Sequence, residues 1–222
     1  MRNPQRPRLS PKAYRTPRNS LRRGFSQAES VTSVEQTNHF MQTPQPTKAR
    51  PDPNTYWVAE QLLAGEYPGN RNEQVARDRV QRFINHGVTY FLDLTDVAEL
   101  APYAHLLPAE HPITQQPIVH RRMSIKDVSV PKTNQEMVDI LDAIEGAMND
   151  GHTVYVHCWG GVGRTGTVIG CYLVRQGYSG PDALVQLKQL WQQCAKSYQR
   201  SSPETHAQDD WVRAWRGAYK GM

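Results

Sequence analysis

The stretch Val154–Gly170, VYVHCWGGVGRTGTVIG, decides how the rest of the chain is read. It opens on an apolar run suited to a buried strand and closes on the apolar spacing of a helix. Between them stand Cys158 and then eight residues that include Gly160, Gly161, Gly163 and Gly166. A packed core gains little from such a stretch, because glycine buries no side chain and costs backbone entropy on ordering. The turn needs bare backbone. In α/β sheets, ligands gather beyond the carboxyl ends of strands, at strand-to-helix turns of this kind.

Gly160, Gly161 and Gly163 allow successive backbone N–H groups to converge on one anion. A helix starting near Arg164 adds the positive end of its dipole. Arg164 offers a planar fork matched to two oxygens of a phosphate. Trp159 and Val162 complete the five residues between Cys158 and Arg164, so the loop carries no charge of its own. Cys158 lies at the bottom of this cup, where N–H dipoles favour the thiolate, the reactive form. His157, beside Cys158, is expected to join the phosphate-binding residues and to help through hydrogen bonds. The Thr165 hydroxyl is expected to stabilise the sulfur and later assist its departure. Together these residues specify a nucleophile for attack on phosphorus. A small core cysteine before an ordinary turn is the plainer reading, but it leaves the compound pattern of Cys, five residues, Arg and Thr unexplained.

The formal net charge of +5 is unevenly spread. Residues 1–50 hold ten Lys/Arg against Glu29 and Glu35, a balance of +8, which leaves −3 for residues 51–222. The basic character therefore belongs to a Pro/Arg-rich tail over 1–50 that is expected to be disordered, since it cannot bury enough apolar surface to offset its ordering entropy. Attraction to acidic partners is the role expected of it. RRGFS at Arg22–Ser26 resembles an organelle processing site, although Pro4, Pro7, Pro11 and Pro17 break any amphipathic helix there. The mildly acidic body, 51–222, argues against a broad nucleic-acid platform. Cys158, Cys171 and Cys194 are too few for a disulfide framework, and a reducing, cytoplasmic setting is expected. No run approaches a membrane span, and the N-terminus lacks the apolar core of a secretory signal.

Alternating patterns run through the body. YWVAEQLLAGEYPG, from Tyr56, predicts two short strands around a turn. Val75, Val80, Phe83 and Ile84 fall at helical spacing and stop at Gly87. Val88–Leu94 and Pro117–Met123 read as strands. Thr133 and Glu136 make a capping-box pattern, Met137, Ile140, Leu141, Ile144 and Met148 repeat on one face, and Gly151 follows as a C-terminal stop. After the HTVYVH strand, three further helices follow, the second with Pro181 near its first position. Strands alternating with helices predict an α/β fold: a central, mostly parallel twisted sheet with helices on both faces.

HCWGGVGRTG resembles the signature loop of the cysteine-dependent protein tyrosine phosphatase superfamily: His-Cys, five residues, Arg, then Ser or Thr. The resemblance covers most of 55–217 by element order and is closest to the compact dual-specificity-like and bacterial members. It implies a general acid on a loop about thirty residues before the cysteine. Asp127, in MSIKDVSVP, matches that position. Asp139 and Asp142 fall within a helix, Asp93 in a buried strand and Asp96 just after it. The resemblance also implies a glutamine that places water, and SPETHAQDDWV offers Gln208. No metal or cofactor is required, because Arg164 and the backbone donors supply the electrostatic stabilisation, and the eight histidines show no ligand spacing.

Trp159 is expected at the rim of the loop. Arg121 and Arg122 precede the acid loop and are candidates to recognise a second phosphate, although alternation on a strand turns one of them to solvent. Cys171 reads as a core thiol or as a redox partner for Cys158, and Cys194 and Trp191 as packing residues. Phe91–Tyr103 is expected to form a strand and a loop at the mouth of the site, with no role fixed. The implied function is hydrolysis of phosphotyrosine in a phosphorylated protein, extending to phosphoserine and phosphothreonine, through a cysteinyl-phosphate. The alternatives are a phosphoinositide, inositol phosphate or RNA 5′-phosphatase with the same chemistry, and a phospho-binding module without turnover.

Overall fold

The computed structural model describes residues 48–217; most of the basic N-terminal segment lies outside the described residues. Five strands form one sheet: β1 (Thr55–Ala59), β2 (Leu62–Gly65), β3 (Val88–Asp93), β4 (Val119–Arg122) and β5 (Thr153–His157). Their order is β1-β2-β5-β3-β4. The β1–β2 hairpin is antiparallel, and every other pairing is parallel. β5 is therefore central, with its carboxyl end between those of β2 and β3.

Side-chain alternation assigns each face. Tyr90 and Leu92 of β3, with Val154 and Val156 of β5, join the core under the helices α2 (Asn134–Asn149), α3 (Gly163–Arg175), α4 (Gly180–Trp191) and α5 (His206–Ala214). Phe91 and Tyr155, one residue out of phase, join Val80, Phe83 and Ile84 of α1 (Glu73–Asn85) on the opposite face. Val75 does not join them. It is exposed, and Ala76 takes the inward place. A period read from the larger side chains alone is off by one position there.

The termini show which local signals acted. Thr133 caps α2 by accepting the Glu136 N–H at 3.1 Å. Glu136 accepts from the Lys132 N–H at 2.6 Å rather than from Thr133, so only half of the expected capping box forms. Gly151, just past α2, has φ +85°, the left-handed conformation that suits a helix stop. A complete capping box occurs where none was expected, at Thr205 and Gln208 opening α5. Every residue of α3 except its last is buried. This helix lies between the sheet and α2, α4 and α5, and its N-terminus meets the carboxyl end of β5.

Candidate active site

β5 ends at His157, Cys158 follows, and α3 begins five residues later at Gly163. Gly161 has φ +71°, and a Cβ there would lie 2.3 Å from the Gly65 carbonyl carbon and 2.6 Å from the Glu66 nitrogen. Both the conformation and the close approach to the end of β2 require glycine. The carbonyls of the loop are held from outside. Tyr67 N–H donates to Trp159 at 2.9 Å, Lys196 Nζ to Gly160 at 3.2 Å, and Ser202 Oγ to Val162 at 2.8 Å. With the carbonyls engaged outward, the N–H groups of Trp159–Gly163 make no hydrogen bond among the described residues. This is the geometry of an anion nest.

Arg164 is 1% exposed. Its Nη1 donates to Glu99 at 2.8 Å and to the Ile125 carbonyl at 3.1 Å, and its Nη2 to Glu99 at 2.7 Å. Asp127 completes the set, 2.9 Å from Nη2. Glu99 is the residue the sequence did not mark. It lies on the loop after β3 and holds the guanidinium in a bidentate grip. The hydrogen bonds from Arg164 keep its carboxyl below the usual range against partial burial. The one local sign of its place was a carboxylate on a loop leaving the carboxyl end of a core strand.

Asp127 follows β4, and its side chain is 48% exposed. Its loop is laid along the end of β3 by Met123 N–H donating to Asp93 at 2.9 Å and Ile125 N–H to Leu94 at 3.0 Å. Gln208 is fully buried. Its Oε1 accepts from the N–H groups of Glu204 and Thr205, and its Nε2 donates to the Ser129 carbonyl at 3.0 Å. The amide thus ties α5 to the Asp127 loop and lies against Gly163, where a Cβ would come within 2.8 Å of it. Cys158, Trp159, Gly160, Val162, Gly163 and Arg164, together with Asp127 and Gln208, line one cleft of about 1020 Å³. Trp159 stands at its rim, 59% exposed. Thr165 is buried on the first turn of α3, and its hydroxyl has no hydrogen-bond partner among the described residues.

His157 stands apart from the other expected phosphate ligands. It is buried beneath the loop, packed among the Tyr67, Tyr103 and Tyr155 rings, and its Nε2 lies 2.6 Å from the Tyr103 hydroxyl. Position along a strand is the reason: His157 is the last β5 residue, and the pleat turns its ring to the α1 face. Burial pushes the imidazole down to about 4 despite the attraction of Asp93, so it is neutral at neutral pH. An unfolded histidine takes up a proton near pH 6.5, while this one stays neutral until about pH 4. The stability this residue contributes is therefore complete above pH 6.5 and is lost as pH drops toward 4, by about 3 kcal/mol. His152, also lowered by burial, adds in the same direction. Urea unfolding between pH 4 and 7 is expected to show this slope, and His157→Asn to flatten it; equal slopes would remove the burial account.

Burial alone would raise the Asp93 carboxyl. Hydrogen bonds from His120, Thr95 and Arg122, with the attraction of His157, outweigh it and hold the group well below the usual range. Arg122 is thus committed to Asp93, at 2.7 Å, while Arg121 faces solvent. Cys171 is buried in the core beside Trp211, and burial raises its thiol. Its placement is that of a packing residue. Among the described residues, no three His, Cys, Asp or Glu side chains are placed to hold a metal, and no helix is long and apolar enough to cross a membrane.

Comparison with known proteins gives this geometry its class. Residues 68–178, half of the chain, match the family described as "Polymorphic toxin system, DSP-PTPase phosphatase", and the chain belongs to that family of cysteine-dependent phosphatases. Cys158, Arg164, Asp127 and Glu99 fall inside the matched stretch, and Gln208 falls outside it. A protein of Invertebrate iridescent virus 3 that carries the name tyrosine phosphatase 067L is 29% identical over 126 residues, 54% of this chain and 45% of the viral one. Mouse protein tyrosine phosphatase domain-containing protein 1 is 29% identical over 53% of this chain and 16% of its own length. The chain thus spans less than half of either relative. Among solved structures, Tk-PTP in its active form superposes with a TM-score of 0.54 at 22% identity, covering 72% of this chain and 95% of that one. Kinase associated phosphatase gives 0.54 at 18%, covering 68% and 83%. These two likenesses show a shared fold.

Proposed function

We propose that this protein is a phosphoprotein phosphatase that hydrolyses phosphotyrosine, and phosphoserine or phosphothreonine more slowly, through a cysteinyl-phosphate. The observation that carries the reading is the convergence of Cys158, the free N–H groups of its loop, buried Arg164 and half-exposed Asp127 on one cleft. The Cys158 sulfur attacks phosphorus, the bond to the leaving oxygen breaks, and Asp127 gives that oxygen a proton. Water then attacks phosphorus, Asp127 takes its proton, the S–P bond breaks, and orthophosphate leaves. Arg164 and the loop N–H groups hold the equatorial oxygens throughout. The Thr165 hydroxyl stabilises the departing thiolate, and the second N–H of the Gln208 amide is available to a water beside Gly163.

A protein substrate is favoured over a polyphosphorylated inositol because Trp159–Gly163 adds no cation to the loop. Turnover of phosphotyrosine, phosphoserine and phosphothreonine peptides is to be compared with that of dioctanoyl phosphatidylinositol phosphates in metal-chelated, reducing buffer. The expected order places phosphotyrosine first by at least about tenfold in kcat/KM. Faster hydrolysis of the lipids would overturn the substrate assignment, and inactivity on every phosphomonoester would leave a phosphate-binding module.

A further inference from the structure

Among the described residues, the cleft carries one cation without a counter-charge. Arg164 is paired with Glu99 and Asp127, Arg79 with Asp52 and Glu66, Lys196 with Glu66, and Arg200 with Glu204. Arg71 lines the same cleft, is exposed, and makes no ion pair or hydrogen bond among the described residues. Its guanidinium is free, but its backbone is not. A Cβ on Gly69 would lie 2.5 Å from the Tyr67 ring and 3.2 Å from the Ala101 carbonyl, so the loop is pressed onto the segment after Glu99. Tyr67 N–H is bonded to Trp159 of the phosphate loop. On the other side, Asn72 N–H donates to Asn70 Oδ1 at 2.9 Å, and Asn72 caps α1. The base of Arg71 is therefore fixed relative to the Cys158 loop, on the lining of the cleft.

We propose that Arg71 is a specificity-determining residue that pairs with the carboxylate of an acidic residue flanking phosphotyrosine in the protein substrate. The proposal rests on the phosphatase reading above. Once the phosphoryl dianion is on Arg164, Arg71 is, among the described residues, the remaining cation of the cleft without a counter-charge, and its planar fork suits a carboxylate. One free guanidinium matches one added negative charge, whereas a polyphosphorylated headgroup would need several. The exposed Trp159 ring at the same rim offers a peptide an apolar shelf.

The test uses the full chain and three phosphotyrosine peptides alike except for Glu, Gln or Lys at the positions on either side. p-Nitrophenyl phosphate, which has no flank, normalises each variant for folding and chemistry. The Glu peptide is expected to exceed the Gln peptide about tenfold in kcat/KM, through KM, and the difference to shrink at high salt. Arg71→Gln is expected to bring the ratio within twofold, and Arg71→Glu to favour the Lys peptide. Retention of the acidic preference in Arg71→Gln, or no preference in the parent chain, would overturn the proposal. So would a dependence on Arg71 confined to soluble phosphoinositides. Binding of the same peptides to Cys158→Ser, with and without Arg71→Gln, repeats the comparison without turnover. Failure of the phosphatase reading would thus show as absent hydrolysis, and failure of the Arg71 proposal as equal peptide affinities.

Discussion

Cys158→Ser is expected to abolish hydrolysis of p-nitrophenyl phosphate, by at least about 10⁴-fold, on the scale seen when an enzyme loses its nucleophile. A serine hydroxyl is a weak nucleophile without an adjacent base. The imidazole next to it in sequence, His157, has its ring buried beneath the loop rather than lining the cleft. Binding of an oxyanion such as tungstate is expected to survive, because the loop N–H groups and Arg164 are unchanged. Calorimetric titration with tungstate, beside a rate assay, separates the two effects. Appreciable turnover by the serine variant would mean that another group attacks phosphorus. Loss of tungstate binding together with turnover would mean that the loop had collapsed.

Asp127→Ala is expected to lower kcat by roughly 10²–10⁴-fold, the usual contribution of general acid catalysis. The loss should be smallest for p-nitrophenyl phosphate, whose leaving group needs little protonation, and largest for phenyl phosphate. A second effect follows from geometry. Asp127 lies 2.9 Å from Arg164 Nη2 and competes with an incoming dianion for it, so its removal is expected to lower KM as well. A fall in kcat with a fall in KM marks removal of a group that opposed ground-state binding. An equal loss across leaving groups, or an unchanged kcat, would assign the proton to a different residue.

The candidate site was legible where its logic is local. Cys158, Gly160, Gly161, Gly163 and Arg164 fall within seven consecutive residues, and strand-to-helix placement follows from the apolar patterns on either side. The partition of Arg121 and Arg122 was legible for the same reason, since a pleat sends neighbours to opposite sides. Glu99 was not, because its partner is 65 positions away and no spacing rule links a loop carboxylate to a buried guanidinium. Gln208 was placed through the resemblance alone; its burial depends on α5 docking against Gly163 and Ser129, a tertiary event. His157 was assigned to the phosphate through its adjacency to Cys158. Its parity with Tyr155 on β5 turns it to the α1 face, and the same alternation rule could have corrected it.

The near-complete burial of α3 bears on what length of chain can fold by itself. The stretch 68–178 contains Cys158, Arg164, Asp127 and Glu99, yet it lacks the β1–β2 hairpin that borders β5 and the two helices that close over α3. A fragment cut to those limits would bare the apolar flank of α3 to water and lose Gln208 from beside the Asp127 loop. The candidate site residues are concentrated in half the polypeptide, but the elements that bury α3 are spread over a longer piece.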